Sequence, residues 1–281
     1  MIRLAVFLWI VLLTACGAPE PRLPQSEAKG PRRIVSLDYC ADQYVLKLAD
    51  PDQVLAVSPD AAKDFSYMRS AAEGVAIVRP TAEDVLLLEP DLIVRSYGGG
   101  PNAAAFFERA GVPVLQIGWA SEIAGQGPGS IAHIIQTTAD GLGQRERGAA
   151  LASEYHNRLQ AVAARRTGET TLYMTPGGVT TGPGSLVHEM MVAAGRQNYE
   201  SQPGWRALPL ERLVMQAPDH IAAAFYDEGT DRAHAWSVAR HPLARAQIEK
   251  GPVTHLPGAW TACGGWFILD AVEALAADAN P

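Results

Sequence analysis

Thr81-Ala82-Glu83-Asp84-Val85-Leu86-Leu87-Leu88-Glu89-Pro90-Asp91-Leu92-Ile93-Val94 reads as a short amphipathic helix, a Pro-Asp turn and an apolar strand. Pro209-Leu210-Glu211-Arg212-Leu213-Val214-Met215-Gln216-Ala217-Pro218-Asp219-His220-Ile221-Ala222 repeats that grammar. Glu83 matches Glu211, Pro90 matches Pro218 and Asp91 matches Asp219, all at one offset of 128 residues. The repetition predicts two α/β lobes of similar build, each carrying a Glu at the same place. Two matched lobes with a cleft between them describe a clamp, and a clamp suggests a binder.

Outward from these copies, short apolar runs alternate with helical patterns. Ile34-Val35-Ser36-Leu37, Val54 to Val57, Val75 to Val78, Leu92 to Val94 and Val114 to Ile117 are the strands expected before the midpoint. Thr170 to Met174, Ile221 to Ala224 and Val253 to Leu256 are those expected after it. Helices fill the intervals, among them 41–49, 101–110, 130–142, 185–194, 241–249 and 265–276. Thr175 to Gly184, rich in Gly and Pro, is expected to be a loop. Such alternation implies mostly parallel sheets covered on both faces.

Between the copies lies a long Pro-free segment. Leu151, Tyr155, Leu159 and Val162 recur at helical spacing in it. One long rigid helix is therefore expected to join two Rossmann-like lobes. Ala110-Gly111-Val112-Pro113-Val114 is echoed by Lys250-Gly251-Pro252-Val253, so the duplication extends beyond the first match.

The first residues carry an address. Met1-Ile2-Arg3 supplies a positive charge, and Leu4 to Leu13 is apolar but too short to span a bilayer. Leu13-Thr14-Ala15-Cys16 resembles the bacterial lipobox, which implies cleavage before Cys16 and a lipid on its thiol. Buried acyl chains anchor at roughly 0.8 kcal/mol per CH2. Four prolines, Pro19, Pro21, Pro24 and Pro31, stiffen the segment that follows into a tether. Residue 17 is Gly rather than Asp, so an inner-membrane retention signal is not evident. The expected organisation is a signal peptide over 1–15, an anchor and tether over 16–31, a first lobe over 32–145, a linking helix over 146–168 and a second lobe over 169–281.

The chain has 281 residues and a net charge of −7, with no basic run, which argues against a nucleic-acid partner. Its hydrophobic content of 48% and charged content of 19% are those of a globular protein. Enzyme signatures are missing. Gly182-Pro183-Gly184-Ser185-Leu186 is no nucleophile elbow, because Val187 stands where the last Gly would be. There is no His-Glu-x-x-His, no P-loop and no Gly-x-Gly-x-x-Gly after a strand. A periplasmic hydrolase is the weaker alternative.

Taken together, the lipobox, the tether, Arg33-Ile34-Val35-Ser36-Leu37, the Pro-Asp turn of both lobes and the single linking helix resemble the class III substrate-binding proteins of ABC importers. Cobalamin-, heme- and ferric-siderophore-binding members are the nearest kinds. The likeness covers about residues 31–278. It implies a monomeric lipoprotein, in the periplasm or at the cell surface, that hands a metal chelate to a permease and its ATPase, with no cofactor of its own. A ferric siderophore is expected first, a corrinoid second and heme third. A scavenging or sensing lipoprotein without a permease is a further reading.

The resemblance also assigns residues. Glu83 and Glu211 become permease-docking carboxylates, a role that suits exposed acids near helix starts that can accept paired hydrogen bonds from Arg. Ligands of open α/β sheets meet the loops at strand carboxyl ends. Those loops supply Tyr39, Tyr67, Arg95, Tyr97, Trp119, Tyr226 and Trp260 as expected contacts, aromatics for a flat organic guest and Arg for an anionic chelate. Arg95 and Tyr97 are the leading pair. A bare metal ion is not expected, since the first strand ends in Asp38-Tyr39-Cys40 without His and the seven His are scattered. Cys40 and Cys263 both fall in pocket-side loops, compatible with a disulfide, a thiol ligand pair or two free thiols.

Overall fold

The computed structural model describes residues 30–163, 168–226 and 237–278. The expected signal peptide, the Cys16 anchor and nearly all of the tether lie outside them.

Strands β1 (Ile34–Ser36), β2 (Val54–Val57), β3 (Ala76–Ile77), β4 (Leu92–Arg95) and β5 (Val114–Gln116) form one parallel sheet in the order β3-β2-β1-β4-β5. Strands β6 (Thr170–Met174), β8 (Gln197–Asn198), β10 (His220–Ala224) and β11 (Val253–Leu256) form a second, in the order β11-β10-β6-β8. The central strands β1, β4 and β10 are buried along their whole length, the mark of sheets covered on both faces. The mostly parallel, two-lobed α/β architecture is the one expected.

Helices α1 (Tyr39–Leu48), α2 (Ala82–Leu86), α3 (Ala103–Arg109), α4 (Ile131–Gly141) and α5 (Arg145–Ala163) precede β6. Helices α6 (Leu186–Ala193), α7 (Leu210–Met215), α8 (Pro242–Lys250), α9 (Gly258–Thr261) and α10 (Ile268–Ala277) follow it. Several starts are set by short polar side chains that accept a backbone N–H two or three residues on. Asp38, Thr81, Ser130 and Ser185 do so at 3.0, 3.4, 3.2 and 3.1 Å.

Two expectations change. The Gly- and Pro-rich stretch 175–184 contains strand β7 (Val179–Thr181), which pairs antiparallel with β9 (Trp205–Ala207). Glycines on either side of Val179-Thr180-Thr181 hide the strand signal, and the long-range partner creates it. The closing helix begins at Ile268 rather than at Gly265, because α9 and a turn around Cys263 to Phe267 come first. The segment expected to link the lobes forms α5 over Arg145–Ala163, with residues 164–167 outside those described. Of the expected stripe it buries Leu151, Tyr155 and Val162, while Leu159 is only partly buried.

The largest core is shared between the lobes. Tyr44 of α1, Ile135 of α4, Tyr155 of α5, Met190 of α6 and Phe267 and Leu269 of the C-terminal segment belong to one buried cluster. Cys40 and Cys263 are joined by a disulfide across 223 residues of sequence. Beside it, the Tyr39 hydroxyl donates to the Ala262 carbonyl at 3.1 Å and the Tyr44 hydroxyl to the Gly264 carbonyl at 3.1 Å. The C-terminal segment is thereby fastened to α1.

Candidate functional site

The site starts from one carboxylate. Asp38 follows β1 and caps α1 through one oxygen. Its other oxygen accepts the backbone N–H groups of Ser96, Tyr97 and Gly98 at 2.7, 3.0 and 2.8 Å. Because β1 and β4 are neighbours, this draws the carboxyl ends of both strands together. Gly98 is required there: a Cβ would lie 2.3 Å from the Leu37 carbonyl oxygen.

Arg95 lies elsewhere than the sequence suggested. It is buried, and its guanidinium donates to the carbonyls of Gly98 and Gly100 and to Gln116 Oε1 at 2.8, 2.9 and 3.0 Å. Gln116 in turn donates to the Ser96 carbonyl at 2.6 Å. Arg95 thus organises the loop from within instead of offering a cation to a guest. The cause is the abundance of inward-facing carbonyls in the Gly98-Gly99-Gly100 turn, which an Arg fork satisfies and a neutral side chain would leave bare.

That loop holds Tyr97 half-exposed in a row of rings. Tyr39 meets Tyr97 edge-on at 6.1 Å between centroids, and Tyr97 stacks on exposed Trp119 at 6.2 Å. Phe65 sits edge-on to Tyr39 at 5.0 Å. A cavity of about 310 Å³ opens beside Tyr97, lined by Asp38, Ser58, Asp60 and the Gly98–Gly100 turn among others. Burial raises the Tyr97 phenol above its usual range, with Tyr39 and nearby carboxylates adding to it, so it stays neutral.

The opposing lobe answers with Tyr173 at the end of β6, Trp205 of β9 and Phe225 after β10. Tyr173 and Trp205 lie 6.1 Å apart, edge to face, and Trp205 is exposed. A second cavity, about 360 Å³, is lined by Tyr39 and Phe65 from the first lobe and by Tyr173, Trp205 and Phe225 from the second. Phe225 holds a left-handed backbone with φ of 65°, costly for a bulky residue and of the kind that accumulates at binding sites. Among the described residues, the lining of both cavities includes no Lys, Arg or His. Among the described residues no group of three His, Cys, Asp or Glu converges to hold a bare metal ion.

Of the expected contacts, the structure brings together Tyr39, Tyr97 and Trp119. Tyr67 is engaged elsewhere. Its ring stacks on Phe267 at 4.7 Å and its hydroxyl donates to Asp270 at 2.8 Å. Burial and that carboxylate push its phenol up to about 12. Trp260 packs on the shared core, and Tyr226 packs on the core of the second lobe, where burial pushes its hydroxyl up to about 12. Phe65, Tyr173, Trp205 and Phe225 escaped the sequence reading. Tyr173 lay inside a recognised strand, so its position at the strand's carboxyl end was the available signal.

Glu83 and Glu211 are both exposed, on α2 and α7.

The periplasmic binding protein family model matches residues 34–244, most of the chain. The chain belongs to that family. This binding protein is 26% identical over 229 residues to the cobalamin-binding protein of Halobacterium salinarum in two strains. The match takes in 76% of this chain and spans 60% of the length of those relatives. Among solved structures it resembles the periplasmic heme-binding protein RhuT from Roseiflexus sp. RS-1, with a TM-score of 0.68 at 22% identity over 89% of this chain and 100% of that one. The vitamin B12-binding protein BtuF of Vibrio cholerae matches with a TM-score of 0.64 at 21% identity, over 89% and 96% of the two chains. These likenesses carry the fold.

Proposed function

We propose that this binding protein is the lipid-anchored capture component of an ABC importer and that its cargo is a corrinoid. The observation supporting the choice of cargo is the lining of the inter-lobe cavity, aromatic from both sides and without a Lys, Arg or His among the described residues. An anionic ferric siderophore, the sequence's first choice, calls for a basic partner, and Arg95 is engaged inside its own loop. Heme calls for a protein ligand to its iron. The Tyr39 hydroxyl is already turned to Ala262, Tyr173 is buried at 1% exposure, and no His among the described residues lines the cavity. A corrinoid brings its own metal ligands and offers a broad, largely apolar body that flat rings can cover. The cobalamin-binding name of the Halobacterium relatives agrees with this reading.

Delivery assigns Glu83 and Glu211 to the permease, Cys16 to the lipid and the periplasmic face of a membrane, or the cell surface, to the protein. Titrating tryptophan fluorescence with cyanocobalamin, hemin and a ferric hydroxamate tests the cargo. Saturable quenching is expected with cyanocobalamin at the lowest concentration; tighter binding of hemin or of the hydroxamate would overturn it. Labelling cells with a fatty-acid probe tests the anchor, which Cys16→Ser should abolish.

A further inference from the structure

The two most exposed large apolar side chains among the described residues are Leu87 and Met215, at 81% and 86% of full exposure. They occupy the same position of the internal repeat, 128 residues apart. Each follows its lobe's exposed Glu by four residues, Leu87 after Glu83 and Met215 after Glu211. That spacing on a helical turn puts acid and apolar side chain on one face. The inward residues match as well: Val85 and Leu213, also 128 apart, are 0% and 5% exposed and anchor the two turns to their cores. Val214, 64% exposed, widens the apolar surface of the second copy.

Neighbouring charges are already engaged. Asp84 accepts from Arg79 at 2.8 and 3.2 Å, and Arg212 donates to the Tyr199 carbonyl at 2.6 Å while stacking over its ring. Glu83 and Glu211 have no ion-pair partner among the described residues. Folding explains neither feature, since an exposed Leu or Met and an unpaired Glu contribute little to stability. The same acid-plus-apolar pair, built once on each lobe, fits a partner that presents the same surface twice.

We infer that Leu87 and Met215 are the apolar anchors of a twin docking surface for two identical permease subunits. Each anchor enters an apolar recess of one subunit, beside a basic side chain that takes the neighbouring Glu. The inference rests on the importer reading of the protein and goes beyond it by assigning the binding energy to the apolar pair, as the desolvated centre of each contact. The acids then set orientation and encounter.

The test uses the full chain in its own cells, with the photo-crosslinking residue benzoylphenylalanine placed singly at Leu87, at Met215, at Ala82 or at Leu210. Crosslinks from positions 87 and 215 to one and the same integral-membrane permease polypeptide, identified by mass spectrometry, are expected. Leu87→Ser with Met215→Ser should reduce trapping from positions 82 and 210 at least tenfold, without changing ligand affinity. Trapping of a second copy of this chain, or of different polypeptides at 87 and 215, would overturn the inference. Permease crosslinks from 82 and 210 that survive the double Ser variant would sink the anchors and leave the importer reading intact. Absence of permease crosslinks from all four positions would sink both.

Discussion

Asp91 and Asp219 perform the same task 128 residues apart. Asp91 accepts the backbone N–H groups of Arg32 and Arg33, each at 2.8 Å, at the entrance to β1. Asp219 accepts the backbone N–H of Thr170 at 2.8 Å and its hydroxyl at 2.7 Å, at the entrance to β6. The Asp of each Pro-Asp turn therefore fastens the repeat helix and its following strand to the first strand of its own lobe. Arg33 strengthens the first copy by donating to the Glu89 carbonyl at 2.7 Å.

Asp91→Ala and Asp219→Ala should each lower unfolding free energy by about 1–2 kcal/mol, the scale for hydrogen bonds to a charged acceptor. Urea titration reads this directly. The Thr170 bonds hold the Asp219 carboxyl below the usual carboxylate range. A depressed folded-state pKa stabilises above the unfolded value and loses that contribution as pH falls below about 4. Asp219→Asn should therefore flatten the acid limb of the stability profile.

Asp42 predicts the opposite slope. Burial pushes its carboxyl up to about 7, although the Ser58 hydroxyl and N–H, at 2.6 and 3.2 Å, pull the other way. The folded state holds this proton more tightly than the unfolded state. Stability from this group is complete below about pH 4 and falls as pH rises to about 7. Thermal midpoints of Asp42→Asn and the parent should diverge in favour of the variant from pH 5 to 8; parallel profiles would contradict the assignment.

The Cys40–Cys263 bond closes a loop of 223 residues. On the chain-entropy scale its loss costs about 5 kcal/mol. Reduction, or Cys40→Ser with Cys263→Ser, should lower the thermal midpoint by about 10–20 °C. With the bond intact, the shared core and the Tyr67–Asp270 contact leave little room for lobe movement. Small-angle scattering should show almost no contraction when ligand is added, and a marked contraction would refute the stiff-linker reading.

Arg95 and Trp205 should separate architecture from recognition. Arg95→Ala removes the donors to the Gly98 and Gly100 carbonyls and to the Gln116 side chain and should cost about 2–3 kcal/mol of stability. Trp205→Ala touches an exposed ring and should leave stability within about 0.5 kcal/mol. Ligand affinity should fall at least tenfold in Trp205→Ala, read by fluorescence quenching of the remaining tryptophans. The reverse pattern would move the binding surface away from the inter-lobe cavity.

Much of the fold was legible because its signals are local. Ile34 to Ser36, Leu92 to Val94 and Val253 to Leu256 are continuous apolar runs of strand length, and Thr81, Ser130 and Ser185 sit where helix starts need them. Strand β7 was not legible, since Val179 to Thr181 becomes a strand only against Trp205 to Ala207. The expectation that strand carboxyl ends line clefts picked out Tyr39, Tyr97 and Trp119, whose rings the structure brings side by side. The same rule selected Arg95 and Tyr67, and it cannot tell a side chain that faces the cleft from one turned into its own loop or onto a neighbouring ring.

By itself the sequence determined the duplicated α/β grammar, the two matched acids and the succession of the main parallel strands and their helices. These depend on periodicity, caps and turns, which act over a few residues. Only the tertiary structure decided which rings face one another, that Arg95 serves its loop and that Cys40 meets Cys263. Those outcomes depend on contacts between residues far apart in the chain and on side-chain directions set by close packing.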